Sequence, residues 1–214
     1  MCPVPSSSAA AEGPSHVRDL KPDDFPAASL VLARAMGNNP LHLRLLDAGA
    51  GGHEAVVARL FLAVFERHHD TGGLILGAFS RSDLVGVCTA EQPGRHPPTP
   101  WSTLRMLPRL VSGGSLAATA LALDWAAQWR RRDLGPEHWQ LGPVGVAPEW
   151  QRRGVGTQLL RAFEARIDPG HAPAYLETDK LENVAFYERF GFQTIGDAAV
   201  LGVRTWFMVR ERSE

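Results

Sequence analysis

The chain has 214 residues, 44% of them hydrophobic and 21% charged, enough for one large domain or two very small ones with a real core. Its 22 Lys and Arg against 23 Asp and Glu leave a net charge of −1, which excludes an overall basic field able to attract nucleic acid or an anionic membrane. No apolar run is long enough to span a bilayer and no signal-like segment follows the N-terminus, so a cytoplasmic protein is expected.

The first fifteen residues, MCPVPSSSAAAEGPS, read as a disordered tail, and residues 16–212 as one domain. HVRDL at 16–20 is short enough for an edge strand, and KPDD after it carries helix-start residues. Phe25, Ala28, Leu32 and Ala35 recur at helical spacing and predict an amphipathic helix that the GNNP cluster ends. Val56, Leu60 and Val64 mark a second helix over about 53–69. GGLILGAFS and LVGVCTAEQ, joined by RSD, predict a β-hairpin that places Cys88 in an apolar run as a buried free thiol. A Pro-rich loop follows, and residues 101–133 read as two helical pieces broken at SGG, with the 130–132 arginine run as a solvated helix end. HWQLGPVGV (138–146) is a strand, then come a glycine loop, a helix bearing Leu160, Phe163 and Ile167, the strand PAYLET, the helix LENVAFYERFG, and the strands FQTIGD and VRTWFMVR. This order predicts a mixed α/β domain around a largely antiparallel sheet of about seven strands, with one parallel crossover near the C-terminal end.

His68, His69 and Asp70 form a superficial metal pair, but adjacent helical histidines point in different directions, and no third ligand follows at metal spacing. A helix end explains them, and no metal is expected.

The chemistry concentrates in Gln151-Arg152-Arg153-Gly154-Val155-Gly156. A Walker loop needs a lysine before the Ser or Thr, yet Gly156 runs straight into Thr157. A dinucleotide fingerprint needs a third glycine where Leu159 stands. What remains is a strand, a short loop and a helix N-terminus, whose amides and fractional positive charge suit an anion.

Preceded by LGPVGVAPEW, this stretch resembles motif A of the GCN5-related N-acetyltransferase (GNAT) superfamily, whose loop reads Q/R-x-x-G-x-G/A. YLETDKLENVAFYERFGF is similar to the family's motif B. The letters L-E-T, N-x-x-F-Y-E-R-x-G-F and RTW are closest to the puromycin N-acetyltransferase-like branch. The resemblance runs from His138 to about Met208, with a cofactor-binding core over about 138–192.

The resemblance implies acetyl-CoA as co-substrate. It places the pantetheine arm along the backbone of Val144, Gly145 and Val146, and the pyrophosphate on the loop from Gln151 through Arg152, Arg153, Gly154, Val155 and Gly156 to Thr157. It sets Asn183 against the cofactor arm and the Tyr187 hydroxyl near the thioester sulfur. A tyrosine of ordinary pKa about 10 is a suitable acid for a thiolate of about 8.5 when held within reach. Glu177, at the end of its strand, is the candidate base, and Glu91, ending the second hairpin strand, is a competitor facing the acceptor side. The expected partners are acetyl-CoA and a small primary amine, with a monomer or homodimer. The alternatives are an acyl-CoA-sensing module without turnover and an acetyltransferase of protein N-termini or lysines.

Overall fold

The computed structural model describes residues 16–46, 53–95, most of 120–128 together with 131 and 135, 137–170 and 172–211. The expected N-terminal tail with Cys2, and the first of the two insert helices, lie outside the described residues. His16–Asp19 forms the first strand (β1), and a 3-10 turn at Pro22–Asp24 leads into helix α1, Phe25–Ala35. The Asp24 carboxylate fixes this corner by accepting from the Lys21 amide at 2.8 Å and from Arg18 at 2.8 and 2.9 Å. A short helix that periodicity does not announce, α2 (Pro40–Leu46), follows the GNN turn. Its first turn is held by a distant residue: the Leu41 amide donates to Asp179 at 2.9 Å.

Helix α3 spans His53–Thr71, and the hairpin forms as β2 (Leu74–Ser80) and β3 (Asp83–Glu91). The described residues of 120–128 are helical, as expected of the second insert piece. Then come β4 (Trp139–Val146), α4 (Val155–Ile167), β5 (Ala174–Thr178), α5 (Leu181–Glu188), β6 (Gln193–Val200) and β7 (Val203–Arg210). Among the described residues, seven strands share one sheet in the order β1-β2-β3-β4-β5-β7-β6. Every pairing is antiparallel except β4 with β5, joined by the α4 crossover, so the expected mixed α/β fold is the one observed.

The sheet is packed on both faces. On one, α4 buries Leu159, Leu160, Phe163 and Ile167 against Leu76, Cys88, Leu176 and Met208; each such side chain contributes about 1.5–3 kcal/mol. On the other, α1 and α3 set Leu32, Phe61 and Phe65 against Ile75, Phe79 and Val87. Cys88 is buried as expected, and burial pushes its thiol up to about 12, out of the reactive range.

The feature that positions the site is a fork. β4 and β5 meet only at Trp139–Ala174 and Gln140–Tyr175. Beyond that, residues 141–146 of β4 are paired to β3 alone, and residues 176–178 of β5 to β7 alone. β4 carries one extra residue opposite Thr89, at Gly142-Pro143, where the register with β3 shifts between Cys88 and Ala90. Such a bulge bends a strand, and a proline there has no amide to offer the ladder. The two strands therefore diverge from a vertex at Gln140 and Tyr175.

Candidate active site

A cavity of about 860 Å³ occupies the fork and opens toward α1, α2 and α3. At its open end the chain turns over 151–154 into α4, with Arg152 at φ 59 and Gly154 at φ 82. Glycine adopts that left-handed geometry without strain. No side chain caps α4, so the amides of its first turn remain available to an incoming anion. Gln151 closes the end of β4 by donating from its side chain to the Val146 carbonyl at 3.1 Å.

Val144, Gly145, Val146, Gln151, Arg152, Gly154, Gly156 and Thr157 all line the cavity. Val155 is buried in the core and offers only its backbone there. The two arginines part company. Arg152 is on the cavity wall, whereas the Arg153 guanidinium lies over the Trp150 ring at 5.2 Å.

Across the fork, α5 presents Asn183 and Tyr187, one turn apart, to the same cavity. The Asn183 amide donates to the Thr178 hydroxyl at 3.1 Å, tying α5 to the end of β5. Tyr187 is buried and wedged edge-on between Phe186 and Phe192, at 5.3 and 5.9 Å. Burial raises its pKa well above the ordinary tyrosine value, and the nearby Cys88 thiol and Asp179 carboxylate add to the shift. The phenol thus keeps its proton at neutral pH.

The other face of the vertex is built from side chains of distant segments. Glu177 on β5 lines the cavity, and its Oε1 accepts from the Tyr175 hydroxyl at 2.9 Å. Glu91 at the end of β3 lines the same cavity and is ion-paired to Arg67 of α3. Both are nearly buried, and desolvation lowers the Arg67 pKa to about 10. His68, next along α3, donates from Nδ1 to the Val64 carbonyl at 2.8 Å and brings Nε2 to 3.7 Å from Glu91 Oε1.

Residues 68–70 are the helix end that the sequence predicts, and His68 has a second place in the structure. The residues do end α3, and no metal-binding cluster occurs among the described residues, but His68 is buried in the cavity wall while His69 is exposed. His42 of α2 stands between Phe61 and Trp125, 5.6 and 5.5 Å from their rings. The α1–α2 loop is strapped across the fork: Asn39 and the Leu41 amide donate to Asp179 at 3.2 and 2.9 Å, and Lys180 to Asn38 at 2.6 Å. Arg67, His68 and His42 carry no local motif. The one usable signal was that the α3 stripe continues to the end of the helix.

Residues 117–194 match the family model of the acetyltransferase (GNAT) domain. Over 137 residues the chain is 26% identical to N-alpha-acetyltransferase RimI of Mycobacterium tuberculosis, covering 59% of this chain and 83% of that one. A crystal structure of histone acetyltransferase HPA2 and related acetyltransferase from Corynebacterium glutamicum shares the fold at a TM-score of 0.68 and 25% identity, over 95% of this chain and 98% of the other. The PaiA N-acetyltransferase of Thermoplasma acidophilum, in complex with coenzyme A, has the same fold at a TM-score of 0.54 and 14% identity, over 92% and 98% of the two chains. The structural likenesses share the fold, and the family match and the RimI relative are both acetyltransferases. Across these comparisons the chain is similar to acetyltransferases of the GCN5-related N-acetyltransferase superfamily, with the family match confined to residues 117–194.

Proposed function

We propose that the protein transfers the acetyl group of acetyl-CoA to the primary amine of a small molecule, by direct attack of the amine on the thioester. The observation that carries this reading is the fork with its unfinished ladder. Residues 141–146 leave backbone donors and acceptors open along one edge of β4, which suits an extended arm bearing amides. The uncapped amides from Arg152 to Thr157, with the Arg152 guanidinium on the wall, suit a pyrophosphate. Arg153, turned onto Trp150, adds field rather than contact. When bound, acetyl-CoA supplies an acetyl group activated as a thioester.

The chain's own residues then divide the work. Val144, Gly145 and Val146 hold the arm by their backbone, and Asn183 orients it from α5. Tyr187, kept protonated by burial, donates its proton to the departing sulfur. Glu177 receives the amine proton on the opposite face, directly or through water. Leu41, Phe61 and Trp125 wall the acceptor side, and the strap to Asp179 narrows it, which favours a small acceptor over a polypeptide. We further propose that residues 16–212 act as one domain, nearest to the puromycin N-acetyltransferase-like branch by the letters of its second motif.

The test is formation of CoA and N-acetyl product from acetyl-CoA across a panel of small amines and of peptides with free N-termini or lysines, read by mass spectrometry. Turnover of small amines is the expected result. Turnover of peptides alone redirects the reading to protein acetylation, and tight acetyl-CoA binding without any turnover redirects it to sensing.

A further inference from the structure

We propose that the acceptor is a hydrophobic monoamine, a primary amine carrying one positive charge at the end of an aryl or alkyl body. This rests on the acetyl-transfer reading and names the substrate class of its site. The cavity wall formed by α3 carries it. Leu60, Val64 and Arg67 recur at helical spacing and all line the cavity, while Val57, Ala58 and Phe65 of the same helix turn into the core. Leu60 and Val64 are partly exposed, so each has apolar surface to offer. Leu123 of the insert helix, 39% exposed, lines the same cavity, as does Trp125. At about 1.5 Å of rise per residue, the α3 face from Leu60 to Arg67 runs for ~10 Å, room for the body of a small amine.

Charge sets the other half of the class. At the vertex, Arg67 and Glu91 neutralise each other in their ion pair, and Glu177 leaves one net negative charge there. The remaining charged lining residues lie elsewhere among the described residues. Asp179 and Lys180 are bound to the α1–α2 loop. Arg152, Glu182 and Arg189 stand on the 151–157 loop and on α5, in the half assigned to the cofactor. An ammonium at the vertex therefore meets one unbalanced negative charge. A second ammonium lying along Leu60 and Val64 meets only apolar side chains, at the cost of its lost hydration.

The transfer keeps this match in step. As the C–N bond forms and the C–S bond breaks, the ammonium gives up two protons, one ending on the CoA sulfur and one in solvent. The product is a neutral amide on the same apolar body, so the charge that Glu177 balances is gone when the reaction ends. A diamine or an amino sugar does not fit in this way. The far ammonium of a diamine stays charged against Leu60 and Val64 throughout, and the hydroxyls of an amino sugar lose water to an apolar wall.

The experiment measures kcat/KM along the series from n-propylamine to n-hexylamine, whose ammonium groups are equally basic, and for phenethylamine, 1,6-diaminohexane and glucosamine. In the wild type, kcat/KM is expected to rise by ~3-fold per methylene along the series. The diamine and the amino sugar are expected to fall ~10²-fold below n-hexylamine and phenethylamine. Leu60→Glu is expected to raise kcat/KM for the diamine by ~10-fold, whereas Leu60→Gln, of the same size without the charge, leaves it low. A flat methylene series, or a diamine or amino sugar used as well as n-hexylamine by the wild type, overturns the proposal. If Leu60→Glu does not fold, the wild-type series decides alone. If no amine is turned over, the acetyl-transfer reading fails, and the wall is read by methyl NMR of the protein with acetyl-CoA bound. Saturable shifts at Leu60 and Val64 with n-hexylamine but not with 1,6-diaminohexane uphold the assigned chemistry of the wall, and any other pattern overturns it.

Discussion

The two halves of the cavity are made in different ways. The half against the 151–157 loop is built mostly from backbone, out of one contiguous run from Val144 to Thr157 plus one face of α5. The half on the other side of the vertex is built from side chains: Leu41 and His42 of α2, Phe61, Arg67 and His68 of α3, Glu91 of β3, Trp125, and Glu177 of β5. A backbone site depends on small residues and left-handed turns and tolerates change in the side chains around it. A side-chain site changes with every residue that lines it. Held together in one cavity, they would, under the proposed function, divide what is donated from what receives it.

Substitutions that affect one half and spare the other sharpen this division, and the largest effect is expected where the halves meet. Tyr187→Phe keeps the ring packed between Phe186 and Phe192 and removes only the hydroxyl. It is expected to lower kcat by ~10²–10³-fold with the KM for acetyl-CoA unchanged. Because burial raises the Tyr187 pKa, the wild-type kcat is also expected not to lose activity at the ordinary tyrosine pKa of about 10. A fall in kcat centred there means that the phenol is solvated and the acid is another group. Next in size, Gly156→Val tests the backbone half alone. Even a Cβ at this position meets the Phe186 ring at 3.3 Å, so a branched side chain narrows the passage beside it. Acetyl-CoA affinity, read by calorimetry, is expected to drop by ~10-fold, about 1.4 kcal/mol, while the acceptor KM holds.

The same division explains what was legible in the sequence. The strand, the QRRGVG loop and the helix lie in one stretch of letters, and the φ of 82 at Gly154 is the physical reason a glycine stands there. Asn183 and Tyr187 were legible because one helical turn puts them on one face. The seven strands followed from alternation and turn residues. α2 was not legible, because its first turn is held by Asp179, 138 residues away from Leu41. His68 was not legible either, because its partner Glu91 reaches it only when β3 packs under α3. Glu91 lines the cavity from the end of β3, and nothing in the letters showed that Arg67 pairs with it.

A smaller effect is expected from loosening the strap without touching the acceptor wall. Asp179→Ala removes the carboxylate that receives Asn39 and the Leu41 amide, so α2 loses its tie to β5. Hydrogen bonds to a charged group contribute about 1.5–3 kcal/mol when intact, and part of that is recovered by water at this half-buried position. The acceptor KM is expected to rise by ~3–10-fold with acetyl-CoA affinity unchanged, measured by steady-state kinetics and calorimetry. An equal loss for both substrates makes the strap part of the cofactor half and erases the division at that point.

The smallest effect separates two neighbouring arginines. Arg153 lies over Trp150 and off the cavity wall, so Arg153→Ala is expected to change acetyl-CoA affinity by less than about two-fold and to cost about 0.5–1 kcal/mol of stability. Arg152 is on the wall, and its charge acts across solvent. Arg152→Ala is expected to weaken acetyl-CoA by ~3-fold at low ionic strength and by less in high salt. Its φ of 59 gives a further handle, since a non-glycine residue there carries about 1–2 kcal/mol of backbone strain. Arg152→Gly is therefore expected to raise the melting temperature while weakening acetyl-CoA as Arg152→Ala does. Opposite signs for stability and affinity in one substitution are what a strained residue held at a backbone-built anion site produces. A glycine variant that gains both, or loses both, removes Arg152 from the site.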